Sequence, residues 1–92
     1  MIQSFKHKGV EHFFTTGSKK GIHPDHARRL KLILFRIHSA TAVNDIDFPG
    51  SGLHQLKGKL KGSWAVKVTG NWRVVFRFER GDAWEVDYDD YH

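Results

Sequence analysis

The sequence predicts an α+β fold, two N-terminal helices followed by a small antiparallel β-sheet that packs on them. Three observations carry the prediction. Ala27, Leu30, Ile33, Leu34 and Ile37 recur at the spacing of one helix face. From Ser63 onward the apolar period changes to two. The dipeptides Gly70–Asn71 and Gly81–Asp82 then divide the second half of the chain into three alternating runs, as hairpin turns do.

Taken in order, IQSF at 2–5 is a short strand candidate. Lys8 to Thr16 reads as a helix, because Val10, Phe13 and Phe14 share one face and Gly17 is a stop signal. GSKKG is a loop. Pro24 stands where proline is tolerated, at a first helical position, with Asp25 in the first turn; this helix runs to about Ala40. Arg28, Arg29, Lys31 and Arg36 fall away from its apolar stripe. Residues 41–62 are rich in Gly, Asp, Asn and Pro and read as loop, with a short ordered piece at LHQL. In the three runs that follow, Trp64, Val66, Val68, Trp72, Val74, Phe76, Phe78, Trp84, Val86 and Tyr88 form the expected inner face. Lys67, Arg73, Arg77 and Glu85 form the outer one.

A chain of 92 residues predicts one domain, 1–92, with one core. Its 39% hydrophobic and 13% aromatic content excludes disorder. No apolar run approaches the roughly 18 residues that span a bilayer, so no membrane partner is expected. The absence of cysteine excludes disulfide and thiolate chemistry. MIQSFKHKGV has no apolar core of signal-peptide length, and the expected location is cytoplasmic.

The net charge of +5 is unevenly spread, with +10 on residues 1–81 and −5 on the last eleven. A uniformly basic surface would point to simple phosphate binding. A basic body with an acidic, histidine-bearing end points to phosphate attraction beside groups that move protons. The plainer reading is that Glu85, Asp87 and Asp89 are a solvated edge, and Lys67, Arg73 and Arg77 a solvated sheet face. Against it stands the Lys-rich stretch KGKLKG, with Lys57, Lys59 and Lys61, next to that face.

RNA is a target these residues suit. Cleavage without a metal uses the adjacent 2′-OH as nucleophile, a base, an acid for the leaving 5′ oxygen, and cations for the phosphorane. Imidazole serves as acid or base because its ordinary pKa is about 6.5. His54 precedes the sheet, with Lys57 one turn later, and His92 follows the last strand, with Asp90 two residues before it. Arg73 opens the middle strand and supplies a guanidinium for phosphate. His7, His12, His23, His26 and His38 are scattered. His23 and His26 share a turn, but no cysteine or second pair completes a zinc set, and no metal or cofactor is expected.

SFKHKG, LHQLKG, SWAVKVTGNWRVVFRF and GDAWEVDYDDYH together resemble the HigB toxins of the RelE/ParE superfamily, over essentially the whole length. The resemblance implies the RelE-like microbial RNase fold, two helices on a twisted antiparallel sheet. It implies a ribosome-dependent endoribonuclease that cuts mRNA in the decoding site. By residue it implies catalytic roles for His54, Lys57, Arg73, Asp90, Tyr91 and His92. Asp90 and His92 would meet RNA beside Arg73, and Lys59, Lys61, Lys67 and Arg77 would bind RNA. It also implies a HigA-type antitoxin with a helix-turn-helix domain, through which the complex binds operator DNA; the helix around Arg28, Arg29 and Arg36 is a candidate surface for it. The alternatives are a non-cleaving gyrase inhibitor of the ParE kind, which has no need of the terminal DYH, and an RNA- or ribosome-binding module without chemistry.

Overall fold

The computed structural model describes residues 1–58 and 62–90. Helix α1 is Lys8–Thr16. Its start is capped from the side chain of His7, whose Nδ1 accepts the Val10 N–H at 3.1 Å. Its end is Gly17, at φ 82, whose N–H donates to the Phe13 carbonyl. Gly9 lies against the loop ahead of the next helix: a Cβ there would come 3.0 Å from the Gly21 carbonyl oxygen. The proline-led helix begins as a 3-10 turn, Pro24–His26, and continues as α2, Ala27–Ser39. Its expected stripe is the buried one, with Leu30, Ile33 and Ile37 wholly inaccessible. A further 3-10 turn, Val43–Ile46, is held by Asp45 Oδ2, which accepts from the Ala42 N–H, the Thr41 N–H and the Thr41 hydroxyl. These bonds, Ala42's first, keep its carboxyl below the usual range.

The sheet has four strands, β1 His54–Gln55, β2 Ser63–Thr69, β3 Trp72–Glu79 and β4 Asp82–Asp90, antiparallel and in the order β1-β2-β3-β4. The alternation gave three strands. The additional one comes from LHQL and is two residues long, too short for a period to show. IQSF is not a strand of the sheet. Ile2 and Phe5 form isolated parallel bridges to Ala83 and Val86, so this segment lies along the outer edge of β4. The core lies between α2 and the inner sheet face, where Val66, Val74, Phe76 and Val86 are all at most 1% exposed.

Three registers depart from plain alternation, the first in β2, where the pairs Lys67–Arg73 and Thr69–Trp72 leave an extra residue between Lys67 and Thr69. The second hairpin turns on Arg80 and Gly81, at φ 53 and 82, with Glu79 paired to Asp82. The turn is therefore one residue earlier than Gly81–Asp82, because two successive left-handed residues match the twist of a two-residue hairpin. In β4 the pairs Val75–Asp87 and Arg77–Trp84 leave Glu85 and Val86 both facing Phe76. Glu85 adopts φ 54 there. This bulge shifts the phase of the strand. Ala83 takes the inward place, and Trp84, expected inside, is turned out and 38% exposed.

A left-handed backbone disfavours side chains, β-branched ones most. Glu85→Val should therefore lower stability by about 1–2 kcal/mol relative to Glu85→Gly, measured by denaturant unfolding. Equal stabilities would show that the bulge is not held at Glu85.

Candidate functional site

The outer sheet face is best followed along its cross-strand rows, since directly paired residues project to the same side. One row runs Lys67–Arg73–Asp89, the next His54–Ala65–Val75–Asp87, and the third Ser63–Arg77–Trp84. Ala65, Val75 and Ser63 are buried although they face away from the helices. They make a low floor with long polar side chains around it. The structure thus gathers His54, Lys67, Arg73 and Arg77 on one face. His54 and Arg73 sit two strand spacings and one row apart, about 12 Å. Lys57 is exposed in the segment that follows β1.

Each group is conditioned by its neighbours. His54 Nδ1 lies 2.9 Å from the Gly52 carbonyl oxygen. A carbonyl only accepts, so Nδ1 carries the hydrogen, and among the described residues Nε2 has no hydrogen-bond partner. Arg73 Nη1 donates to the carbonyls of Gly70 at 2.7 Å and Trp72 at 3.0 Å. These bonds fix the guanidinium without neutralising it, and among the described residues Arg73 has no ion pair. Arg77 differs. It contacts Glu79 at 2.7 Å and Glu85 at 3.7 Å, and these carboxylates, Glu79 first, push its pKa up. That end of the face, with Glu79 and Glu85 around one cation, is a poorer seat for phosphate than the row of Lys67 and Arg73.

The acidic end of the chain is placed differently from expectation. Asp90 pairs with Trp72, on the helix side of the sheet, and the residue opposite Arg73 is Asp89. Asp87 Oδ1 accepts the Tyr88 N–H at 2.9 Å, and Asp89 Oδ1 accepts the Asp90 N–H at 2.8 Å. These carboxylates close the strand edge beyond the stretch covered by the N-terminal segment, so they are more than solvated charge. Tyr91 and His92, with Lys59 and Lys61, lie outside the described residues.

The scattered histidines converge, which no sequence period could show. His7, His23, Trp72 and Tyr88 line a cleft of about 470 Å³ beside Asp89. His26 is buried, and its Nδ1 meets the Tyr88 hydroxyl at 2.6 Å. Trp72 stacks on Tyr88 with ring centroids 4.7 Å apart. Burial, with the His23 imidazole adding to it, holds His26 below its ordinary value, against an opposite pull from Asp25. Burial likewise raises the Tyr88 phenol, opposed by the His23 backbone. Both groups are neutral at pH 7. His38 Nδ1 accepts the Ile2 N–H, and His7 caps α1, so three of the five have structural work. Among the described residues no three histidines or carboxylates converge as metal ligands.

Residues 3–92 match the family model of the RelE-like toxin of the type II toxin–antitoxin system HigB. The chain is also similar to Endoribonuclease HigB of Proteus vulgaris, with 39% identity over 92 residues and full coverage of both chains.

The buried pair fixes an acid sensitivity. Unfolded His26 takes up a proton near its ordinary 6.5, and folded His26 only at lower pH. Between the two values the unfolded chain binds more protons, so this contribution is complete above the ordinary value and is lost as the pH falls. Thermal melts from about pH 7.5 to about pH 5.5 should show a decline in Tm that is shallower in His26→Gln. Tyr88→Phe, which strands the His26 nitrogen, should cost about 1–3 kcal/mol at neutral pH.

Proposed function

The chain belongs to the HigB family of RelE-like toxins of type II toxin–antitoxin systems, and on that premise we propose that it is an endoribonuclease that cuts mRNA in the ribosomal A site. The observation that carries this reading is the outer sheet face. An imidazole with a free Nε2, a pinned and unpaired guanidinium and an open lysine surround a floor of small residues. That set suits a phosphodiester and its proton transfers.

In the proposed reaction a 2′-oxygen attacks the adjacent phosphorus and the bond to the 5′ oxygen breaks. The base removes the 2′-hydroxyl proton, and the acid delivers one to the departing oxygen. Arg73 and Lys57 offset the charge that grows on the phosphorane oxygens. His92 and Asp90 are the proposed proton-transfer groups, with His54 a second acid, base or positioning group. Tyr91 would stack on or orient a nucleotide. Asp90 itself pairs with Trp72 on the helix side of β4, so its proposed role beside Arg73 is not supported by its strand register. Lys59, Lys61 and Lys67 would hold ribosomal RNA through sequence-independent phosphate contacts, and Arg77 less so, given its two carboxylates. A substrate on translating ribosomes would put the protein in the cytoplasm. The proposed partner is a HigA-type antitoxin with a helix-turn-helix domain, through which the complex would reach operator DNA.

Primer extension on a defined mRNA in a purified translation system tests this. Wild-type protein should give cuts that require ribosomes and lie in phase with codons. His92→Ala and Arg73→Ala should each lower single-turnover cleavage by about 10²–10⁴-fold. Lys67→Ala should weaken ribosome binding and leave cleavage by saturating protein near wild type. Translation arrest without cuts would remove the nuclease reading.

A further inference from the structure

Of the three tryptophans, Trp64 and Trp72 pack against the core. Trp84 does not. It pairs with Arg77 on the outer face of the sheet and is exposed. Among the described residues its ring meets no other aromatic ring and its indole N–H has no hydrogen-bond partner. This placement depends on the bulge, and so on Glu85 at φ 54, a backbone unfavourable for any residue with a Cβ. Plain alternation would have buried Trp84. The lost burial and the left-handed glutamate both oppose folding. Bulges that re-aim a side chain, and local backbone strain, gather at functional sites.

The surroundings say what the ring can meet. Trp84 lies two rows along the face from Arg73 and one strand over, about 14 Å away. The recess lined by Ser63, Val75, Arg77, Glu85 and Asp87 is only about 40 Å³, too small to hold a nucleobase. A base can lie on the ring, but it finds no pocket shaped to its edge. Arg77, in the same row, is held by Glu79 and Glu85. Its charge is offset, yet a guanidinium plane takes a stacked base as an aromatic ring does. One end of the face therefore attracts phosphate through Lys67 and Arg73, and the other offers flat π surface. A peptide strand has no edge to join beside Trp84, because the N-terminal segment bridges β4 at Ala83 and Val86. A single RNA strand answers both ends at once, with phosphates at the cations and a base on the ring. We propose that Trp84 is a stacking platform for one base of single-stranded RNA flanking the phosphate at Arg73, and that it accepts any base. The proposal rests on the RNA-cleaving reading above and adds to it a contact made through the base rather than through charge.

The test uses ribosomes programmed with mRNA whose A-site codon carries 2′-O-methyl riboses. These lack the nucleophile, so affinity is read apart from cleavage. Trp84→Ala should weaken binding by about 5- to 100-fold and leave its salt dependence unchanged, whereas Lys67→Ala should flatten that dependence. Trp84→Leu keeps apolar bulk without a π-face and should lose as much as alanine does. Trp84→Phe should stay within about 5-fold of wild type. The side chain is exposed, and matching thermal melts establish that the variants are folded. An abasic nucleotide at the stacked position should weaken wild-type binding and leave Trp84→Ala no weaker than before. If the Trp84 variants lose affinity and no abasic position in the mRNA shows this coupling, the stacked base belongs to ribosomal RNA and the platform stands. Wild-type affinity in Trp84→Ala or in Trp84→Leu would overturn the proposal. So would a loss that flattens the salt dependence as Lys67→Ala does, or a wild-type dimer that Trp84→Ala dissolves. Binding that depends on Trp84, with unmodified mRNA left uncut, would sink the nuclease reading alone. Cuts by wild-type protein, with Trp84→Ala binding undiminished, would sink this one alone.

Discussion

Leu30, Ile33, Leu34 and Ile37 leave water only by lying on the inner face of the sheet, against Val66, Val74, Phe76 and Val86. The two apolar surfaces cover each other, and a chain of this length has no second layer to spend on the other side. The outer face is therefore open by necessity. A sheet open on one side carries polar residues there, and in this chain they include Lys67, Arg73 and Arg77 beside Asp87 and Asp89. Arg29 links the two halves of the arrangement, since its guanidinium on α2 bonds the Gly50 and Lys67 carbonyls and so anchors both the loop before β1 and the strand that carries Lys67.

Both helices, the long strands and the inner face were legible because each rests on a period repeated over many residues. The failures occur where a single residue changes the phase. Glu85, at φ 54, inverts the placement of Trp84, and nothing in AWEVDY marks it, since glutamate is an unusual occupant of a left-handed site. Arg80 hides the hairpin turn for the same reason. Lys67 and Arg73 were readable as one face from the alternation within each strand, but their pairing depends on an extra residue between Lys67 and Thr69, and His54 reads as loop. Asp89, opposite Arg73, was passed over in favour of Asp90, because a two-residue spacing to His92 says nothing about which side of β4 faces the cations. The meeting of His7, His23 and His26 at Tyr88 joins residues as far apart as 62 positions, beyond any local pattern.

Charge on the outer face is graded. Arg73 is held by carbonyls, which restrain a guanidinium and leave its charge available. Arg77 is held by carboxylates, which restrain it and offset the charge. Two arginines four residues apart on the same strand thus have different capacities, and the difference lies in what they are bonded to rather than in their exposure.

The N-terminal segment has a consequence for the time course of folding. Ser4 takes the Glu85 N–H on its hydroxyl, a contact spanning 81 residues, and Ile2 and Phe5 bridge to the same strand. Contacts so distant in sequence are slow to form, because loop closure precedes any gain from them. β4 is also the last strand in order of synthesis. Until it is made, β3 has a bare edge, the first residues have no partner, and Arg73 has no Asp89 opposite. The outer face is therefore assembled only once β4 has been made.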